Sequence, residues 1–167
     1  MTFQRRLQIG HAVQADVAAA LRDLGVAVDE TPPTMRPSYA VAHLWSNERD
    51  LTANGQRIEV KAVRCFSFGP DPAAFPRDSM IMDNASAWDA KDPKPYAYVF
   101  VCVPTRAMLA CRGDRDPHPH RRHGYDSLVG KEREWCMVLR RELRSVRALA
   151  GSLRSLRPAG WSQLRLL

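Results

Sequence analysis

The fold of this chain is decided by the segment DLTANGQRIEVKAV, which covers residues 50–63. Two runs of residues suited to β-strands flank the Asn54-Gly55 pair, and both residues of such a pair accept the positive φ angles of a type I′ turn. The segment therefore predicts a β-hairpin with a two-residue loop. Counted outward from that loop, the strand register places Asp50 directly opposite Glu59.

The second strand of this hairpin has two chemically different faces. Because alternate side chains of a strand point to opposite sides, Glu59 and Lys61 share one face. Ile58, Val60 and Ala62 share the other face, which we expect to meet the core. Opposed Cβ atoms lie about 4.5–5.5 Å apart, so Glu59 and the acidic residue across from it are close enough to hold one divalent cation. Without a cation the same pair of carboxylates is destabilising.

This hairpin allows two interpretations. Two carboxylates with an ammonium group beside them suit phosphodiester hydrolysis, in which a metal polarises the phosphate and a nearby cation orients the nucleophile or stabilises developing charge. Mg²⁺ is the expected ion, since the ligands are carboxylates and water rather than thiolates or imidazoles. In the second interpretation the charged face is only solvated, and Lys61 pairs with Glu48 across the ladder.

Several elements are predicted before residue 90. Apolar residues at helical spacing predict a helix over 3–24, and Gly25 supplies a natural helix stop. Residues 26–28 fit a short edge strand, and residues 39–63 are expected to be extended. The segment at 79–88 fits either a strand or a short helix.

The second half of the chain contains one strong strand signal. The apolar run at 96–103 predicts a buried central strand, and 107–111 is expected to return beside it. Residues 112–124 are polar and broken by prolines, which is typical of a surface loop. Residues 131–156 carry apolar residues at helical spacing and predict a long helix.

The chain length of 167 residues predicts a single domain. We expect a core at about 7–111, a basic loop at 112–130 and a C-terminal helical segment at 131–157. No apolar run reaches the roughly 18 residues of a membrane helix, and no apolar signal core follows the first residues. These features predict an unexported, cytoplasmic protein with no membrane partner.

The charge balance predicts a polyanionic partner. Lys and Arg number 25 against 18 Asp and Glu, which gives a net charge of +7, and nucleic acid is the expected partner. We expect Arg121 and Arg122 in the basic loop, and Arg140 and Arg144 on the C-terminal helix, to contact a phosphate backbone.

The pattern Asp50 followed by Glu59-Val60-Lys61, with a helix before it and an apolar strand after it, resembles the PD-(D/E)XK, or restriction-endonuclease-like, nuclease superfamily. The resemblance covers roughly residues 7–110 in the order of elements. It implies an α/β fold with a central mixed β-sheet flanked by helices, and hydrolysis of DNA phosphodiester bonds by a metal-activated water. It also implies that Asp50, Glu59 and the carbonyl of Val60 bind Mg²⁺ or Mn²⁺, while Lys61 positions the attacking water.

The chain departs from the family pattern on the first helix. Many members carry a Gly-x-x-x-Glu pattern there, whereas the matching stretch in this chain runs from Gly10 to Gln14 and ends in an amide. Gln14 is therefore expected to be an accessory residue that hydrogen-bonds a metal-bound water without adding charge. Arg49 stands where many members have a proline before the aspartate.

Three functions are compatible with this pattern. The first is a small DNA nuclease of the kind found among junction-resolving, repair, phage and mobile-element enzymes, acting as a homodimer if both strands are cut. The second is a non-catalytic nucleic-acid-binding module that keeps the nuclease fold. The third is a basic partner-binding protein whose hairpin face is merely solvated.

Overall fold

The computed structural model of the protein describes residues 2–31, 50–117, 120–126 and 130–156. Within these ranges the helices are α1 (Phe3–Asp23), α2 (Ala85–Asp89) and α3 (Val146–Ser155). The strands are β1 (Val28–Glu30), β2 (Leu51–Ala53), β3 (Gln56–Val63), β4 (Ser79–Asn84), β5 (Ala97–Cys102), β6 (Met108–Arg112), β7 (Arg121–Asp126), β8 (Lys131–Leu139) and β9 (Arg144–Ser145). None of the described helices has the length and apolar character needed to cross a membrane.

Six of the described strands form one mixed sheet in the order β1-β2-β3-β5-β6-β9. β3 and β5 run parallel, whereas the other neighbours in this sheet run antiparallel. Every residue of β5 is buried, which confirms the central strand predicted at 96–103. β6 returns beside it as expected. The protein is an α/β fold with a mixed central sheet flanked by helices.

The large sheet separates two apolar cores. On one face, α1 and α3 pack against the sheet through residues such as Leu21 and Leu153, which meet Ile58 and Val99. On the other face, a three-stranded antiparallel sheet in the order β4-β8-β7 encloses a second core together with α2. Because side chains alternate along β5, that strand contributes to both cores. One face of the central sheet is thus covered by helices and the other mainly by a second sheet.

The first helix is confirmed, and its ends follow from local chemistry. Thr2 caps it by accepting a hydrogen bond from the N–H of Arg5 at 3.2 Å. Gly25 has a φ of 75°, a left-handed conformation that glycine adopts without steric cost. The N–H of Val26 then donates to the carbonyl of Leu21 at 3.0 Å. This bond extends the helix ending, so the predicted edge strand begins two residues later than expected, as β1.

The hairpin forms with the predicted loop and register. Asn54 and Gly55 have φ values of 50° and 80°, and the pairing extends to Leu51 opposite Ile58. The side-chain amide of Asn54 also donates to the carbonyl of Leu153 in α3 at 2.8 Å. The loop is therefore fixed both by its backbone conformation and by a contact with the last helix.

The segment at 79–88 contains both predicted structures in succession. β4 occupies its first part, after which Asn84 accepts a hydrogen bond from the N–H of Ala87 at 3.3 Å and caps α2. The extended segment predicted at 39–63 is confirmed from residue 51 onward, and its residues 39–49 lie outside the described part of the chain.

The C-terminal helical segment predicted at 131–157 is wrong in its first half. Its first nine residues form β8, which pairs with both β4 and β7. The α-helix covers only Val146–Ser155, after one 3-10 turn at Arg140–Glu142. Cys136 and Val138 are buried while Met137 between them is half-buried, which is the two-residue period of a strand. The apolar residues of this segment match the helical period as well as the strand period. Pairing with β4 and β7 decides in favour of the strand.

The basic loop predicted at 112–130 is also interrupted by a strand. Arg121–Asp126 forms β7 at the edge of the small sheet, where it pairs antiparallel with β8. Its sequence RRHGYD carries no apolar alternation, because an edge strand exposes much of its surface. Its formation depends on the neighbouring strand rather than on its own propensity. Residues 118–119 and 127–129 lie outside the described part of the chain.

Candidate active site

Asp50 lies immediately before β2, at the open end of the hairpin, away from the Asn54-Gly55 loop; we call this end the head of the hairpin. Two hydrogen bonds hold it there. Its Oδ2 accepts a hydrogen bond from the N–H of Val60 at 2.7 Å. Its backbone carbonyl accepts a hydrogen bond from the side-chain amide of Gln14 in α1. Gln14, which the family resemblance assigns to a metal-bound water, uses its amide nitrogen to fix the backbone of Asp50.

Glu59 is buried on the face of β3 that points toward the small sheet, with 6% of its surface exposed. Its Oε1 accepts hydrogen bonds from Nε and Nη2 of Arg57, at 3.0 and 2.6 Å. Its Oε2 lies 3.8 Å from Nζ of Lys91, which is beyond hydrogen-bonding distance. The interpretation of a merely solvated charged face is therefore wrong for Glu59.

Lys61 points to the same side as Glu59 and keeps about a third of its side chain exposed. Its Nζ donates to Oδ1 of Asp83 at 3.1 Å. Glu48, the partner considered for this lysine from the sequence, lies outside the described residues. Asp83 in turn accepts hydrogen bonds from the buried Lys91 and, at 2.8 Å, from the hydroxyl of Tyr98. These contacts fix the ammonium group of Lys61 beside the hairpin.

The pKa of Asp50 and that of Lys61 are both raised, which favours the neutral form of the carboxyl group and the charged form of the amine. Burial raises the pKa of Asp50 from 3.8 to about 6, and the charge of Glu59 adds to this effect. Burial alone would lower the pKa of Lys61, but attraction to Asp83 and to the two hairpin carboxylates outweighs it, and the net shift is upward. Lys61 is therefore a cation at neutral pH, able to donate hydrogen bonds.

Asp83 stays ionised although it is buried. Burial raises the pKa of its carboxyl group, but the charges of Lys61 and Lys91 outweigh burial and lower the pKa to about 2. The pKa of Tyr98 is raised by burial and by the charge of Asp83, so its hydroxyl stays protonated and donates. Removing one of the two ammonium groups would leave the buried carboxylate of Asp83 less compensated and would destabilise the folded protein.

The residues at the head of the hairpin supply oxygen atoms, the type of ligand that a magnesium ion prefers. Asp50 and Glu59 supply carboxylates. The carbonyls of Arg57 and Val63 are directed toward β5, and alternate strand residues direct their carbonyls to opposite sides. The carbonyl of Val60 is therefore directed away from β5, toward the side from which Asp50 contacts its N–H.

Such a site would depend on few protein ligands. Within the described ranges, no group of three or more His, Cys, Asp or Glu side chains is arranged to hold a metal ion. Two carboxylates and one carbonyl are nevertheless a common protein contribution for Mg²⁺, which retains several waters. The donor set is compatible with that ion and lacks the thiolates or imidazoles that a zinc site uses.

A groove of about 790 Å³ begins at Lys61 and runs across the small sheet. Its lining includes three arginines, Arg64, Arg77 and Arg122, in addition to the lysine. Asp83 is the one acidic side chain among the described residues that line it. The groove thus combines a strong positive charge with direct access to the candidate catalytic lysine.

The four arginines predicted to bind nucleic acid have different surroundings. Arg122 lines the groove beside Lys61. Arg121 forms an ion pair with Glu134 at 3.1 Å, Arg140 forms a loose one at 3.8 Å, and Arg144 donates to two backbone carbonyls next to a separate, smaller pocket. Only Arg122 of these four lines the groove that reaches the hairpin.

No spacing pattern in the sequence assigned Asp83, Lys91 and Tyr98 to the site. Asp83 and Lys91 lie on the crossover between β3 and β5, and their position depends on the pairing of β4 with β8. Tyr98 lies opposite Glu59 in the register of β3 and β5. Strand alternation was the one sequence signal that could have found Tyr98, because it places Tyr98 and Glu59 on the same face of the sheet.

Comparison of the chain with known protein families, with curated proteins and with solved structures gave no match.

Proposed function

We propose that this protein is a magnesium-dependent nuclease that hydrolyses phosphodiester bonds in DNA, built on a restriction-endonuclease-like core. The observation that carries the proposal is the head of the hairpin, where Asp50 and Glu59 offer carboxylates beside the charged Lys61. A groove rich in arginine begins at the same lysine. DNA carries the dense negative charge that such a groove attracts.

Each residue of the hairpin has a distinct part in this chemistry. Asp50, Glu59 and the carbonyl of Val60 would hold Mg²⁺, or Mn²⁺ in its place. When bound, the ion supplies positive charge that polarises the scissile phosphate and favours ionisation of a water molecule. Lys61 donates hydrogen bonds to the attacking water or to a phosphate oxygen, and it stabilises the negative charge that develops in the transition state. Asp83 acts through Lys61 and is a positioning residue.

Cleavage of labelled duplex, single-stranded and branched DNA with Mg²⁺ or Mn²⁺ tests the proposal. Asp50→Asn removes the charge of one carboxylate, and Lys61→Ala removes the ammonium group. Each change is expected to lower the cleavage rate by about 100-fold or more. Asp29→Asn in β1 and Lys131→Ala in β8 are matched controls, because both residues are exposed. These controls are expected to cleave like wild type.

Cleavage that persists in both Asp50→Asn and Lys61→Ala would place the active site elsewhere and overturn this assignment. The same experiment distinguishes the second candidate, a non-catalytic DNA-binding module. Two observations favour that alternative, namely the ion pair between Arg57 and Glu59 and the amide of Gln14 at a position where many relatives of the proposed class have a carboxylate. Salt-sensitive DNA binding with no cleavage in either metal is the result that this alternative predicts.

A further inference from the structure

The floor of the groove is apolar although its surroundings are charged. Ile81 lies directly opposite Met137 in the pairing of β4 with β8, and Trp135 is two residues before Met137. Directly paired and alternate strand residues share a face, so these three side chains lie together on the outer side of the small sheet. Ile81 keeps 48% of its surface exposed.

Cationic side chains accompany this apolar floor. Arg122 lies directly opposite Trp135 in the pairing of β7 with β8, and its side chain is exposed. The guanidinium group of Arg77 lies 4.3 Å from the centre of the Phe66 ring, so it covers an aromatic side chain of the same groove. The acidic member of the lining, Asp83, already neutralises lysines. The groove therefore presents apolar and cationic surface to one ligand.

This combination fits a nucleic-acid strand whose bases are unpaired. A duplex keeps its bases stacked inside and offers mainly phosphates to a surface groove. A single strand offers bases that stack on aromatic side chains, together with phosphates that pair with arginines. An apolar floor has no counterpart on a duplex backbone, whereas it matches the faces of unpaired bases.

We infer that the groove binds a single-stranded segment of DNA and leads it past Lys61. Trp135 provides the surface on which a base stacks, and Arg77 and Arg122 contact the phosphates on either side. This inference rests on the proposed function for the choice of DNA. It adds the substrate class, namely DNA with an unpaired segment at the site of cleavage.

Binding measured without metal separates this inference from the cleavage chemistry. The probe is a fluorescent oligo(dT) of about 16 nucleotides, the upper end of the site sizes known for single-strand grooves, followed by anisotropy in EDTA. Competitors are a blunt duplex of equal length and the matching oligo(rU). We expect the single-stranded DNA to bind about tenfold more tightly than the duplex, and no less tightly than the RNA.

Variants assign the binding to the groove. Trp135→Ala is expected to weaken oligo(dT) binding about tenfold, while Trp135→Phe retains most of it because a ring remains for stacking. Arg122→Gln is expected to lower the slope of binding against salt by about 0.7, the value for one lost contact to a single strand. Arg147→Gln removes the same charge from the exposed side of α3, on the opposite face of the central sheet, and should bind like wild type.

The outcomes distinguish the two proposals. Equal or tighter binding of the duplex, tighter binding of the RNA, no binding by wild type, or unchanged binding by both Arg122→Gln and Trp135→Ala overturns the groove assignment even if metal-dependent cleavage is found. Groove-dependent binding of oligo(dT) without any cleavage supports this inference and overturns the nuclease. If Trp135→Ala fails to fold by circular dichroism, the exposed Arg122 and the conservative Trp135→Phe still decide the matter.

Discussion

Asp50 is close to a second carboxylate and partly removed from water, and both properties make its ionisation costly. The N–H of Val60 offsets part of this cost, yet the pKa remains raised to about 6. At neutral pH the metal-free protein therefore carries an ionised carboxylate in an unfavourable place. A cation bound between Asp50 and Glu59 would remove this penalty. The ionised carboxylate of Asp50 therefore lowers the stability of the metal-free protein and, for the same reason, favours metal binding.

The pH dependence of stability tests this account. Because the pKa of Asp50 is higher in the folded state than its usual 3.8, its contribution favours folding below about pH 4 and is lost as the pH rises to about 6. In EDTA, we expect Asp50→Asn to be more stable than wild type by on the order of 2 kcal/mol at about pH 7, and to lose this advantage at about pH 4. Urea unfolding at the two pH values measures the difference.

The exposed Asp29→Asn in β1 is the matched control for this measurement. Its free energy of unfolding should stay within about 0.5 kcal/mol of wild type at both pH values. An Asp50→Asn variant that is less stable than wild type by the same amount at both pH values would show that the carboxylate mainly supports the fold through the hydrogen bond from Val60.

At the scale of elements, the hairpin loop requires a positive φ at Gly55 and leaves open space around that residue. Gly55 has a φ of 80°, and a Cβ atom added there would meet nothing within 4 Å. We expect Gly55→Ala to lower the free energy of unfolding by about 1 kcal/mol through backbone strain alone. Gly69→Ala is the control, because Gly69 has similar open space and no positive φ. Equal losses in the two variants, measured by urea unfolding, would contradict this explanation.

Elements whose signal is local could be predicted from the sequence. The hairpin is specified by a two-residue loop, and strand alternation alone places Lys61 on the same face as Glu59. The central strand β5 is specified by an unbroken apolar run. β7 and β8 could not be predicted, because the helical and strand periods both fit residues 131–139 and pairing across the molecule decides between them. The position of Asp83 depends on the same pairing of β4 with β8.

At the scale of the whole molecule, metal binding should appear as thermal stability. A ligand at about 100 times its Kd stabilises the folded state by about 2.7 kcal/mol, which for a protein of this size corresponds to a rise in Tm of about 5–10 °C. We expect Mg²⁺ to raise the Tm of wild type by this amount, relative to KCl at matched ionic strength, and to leave that of Asp50→Asn unchanged. An equal rise in both proteins would mean that the ion binds elsewhere.

The parallel pairing of β3 with β5 sends the intervening chain across the sheet as β4 and α2, and this path has a consequence for the order of events during synthesis. β4 pairs with β8, which ends about 55 residues later, or roughly 3–10 s later at usual translation rates. The helix, the hairpin and β5 can associate on the ribosome before then, because they are already made. Because β4 gains its strand partner only when β8 has emerged, we expect Asp83 to hold Lys61 in its final position later than the hairpin itself forms.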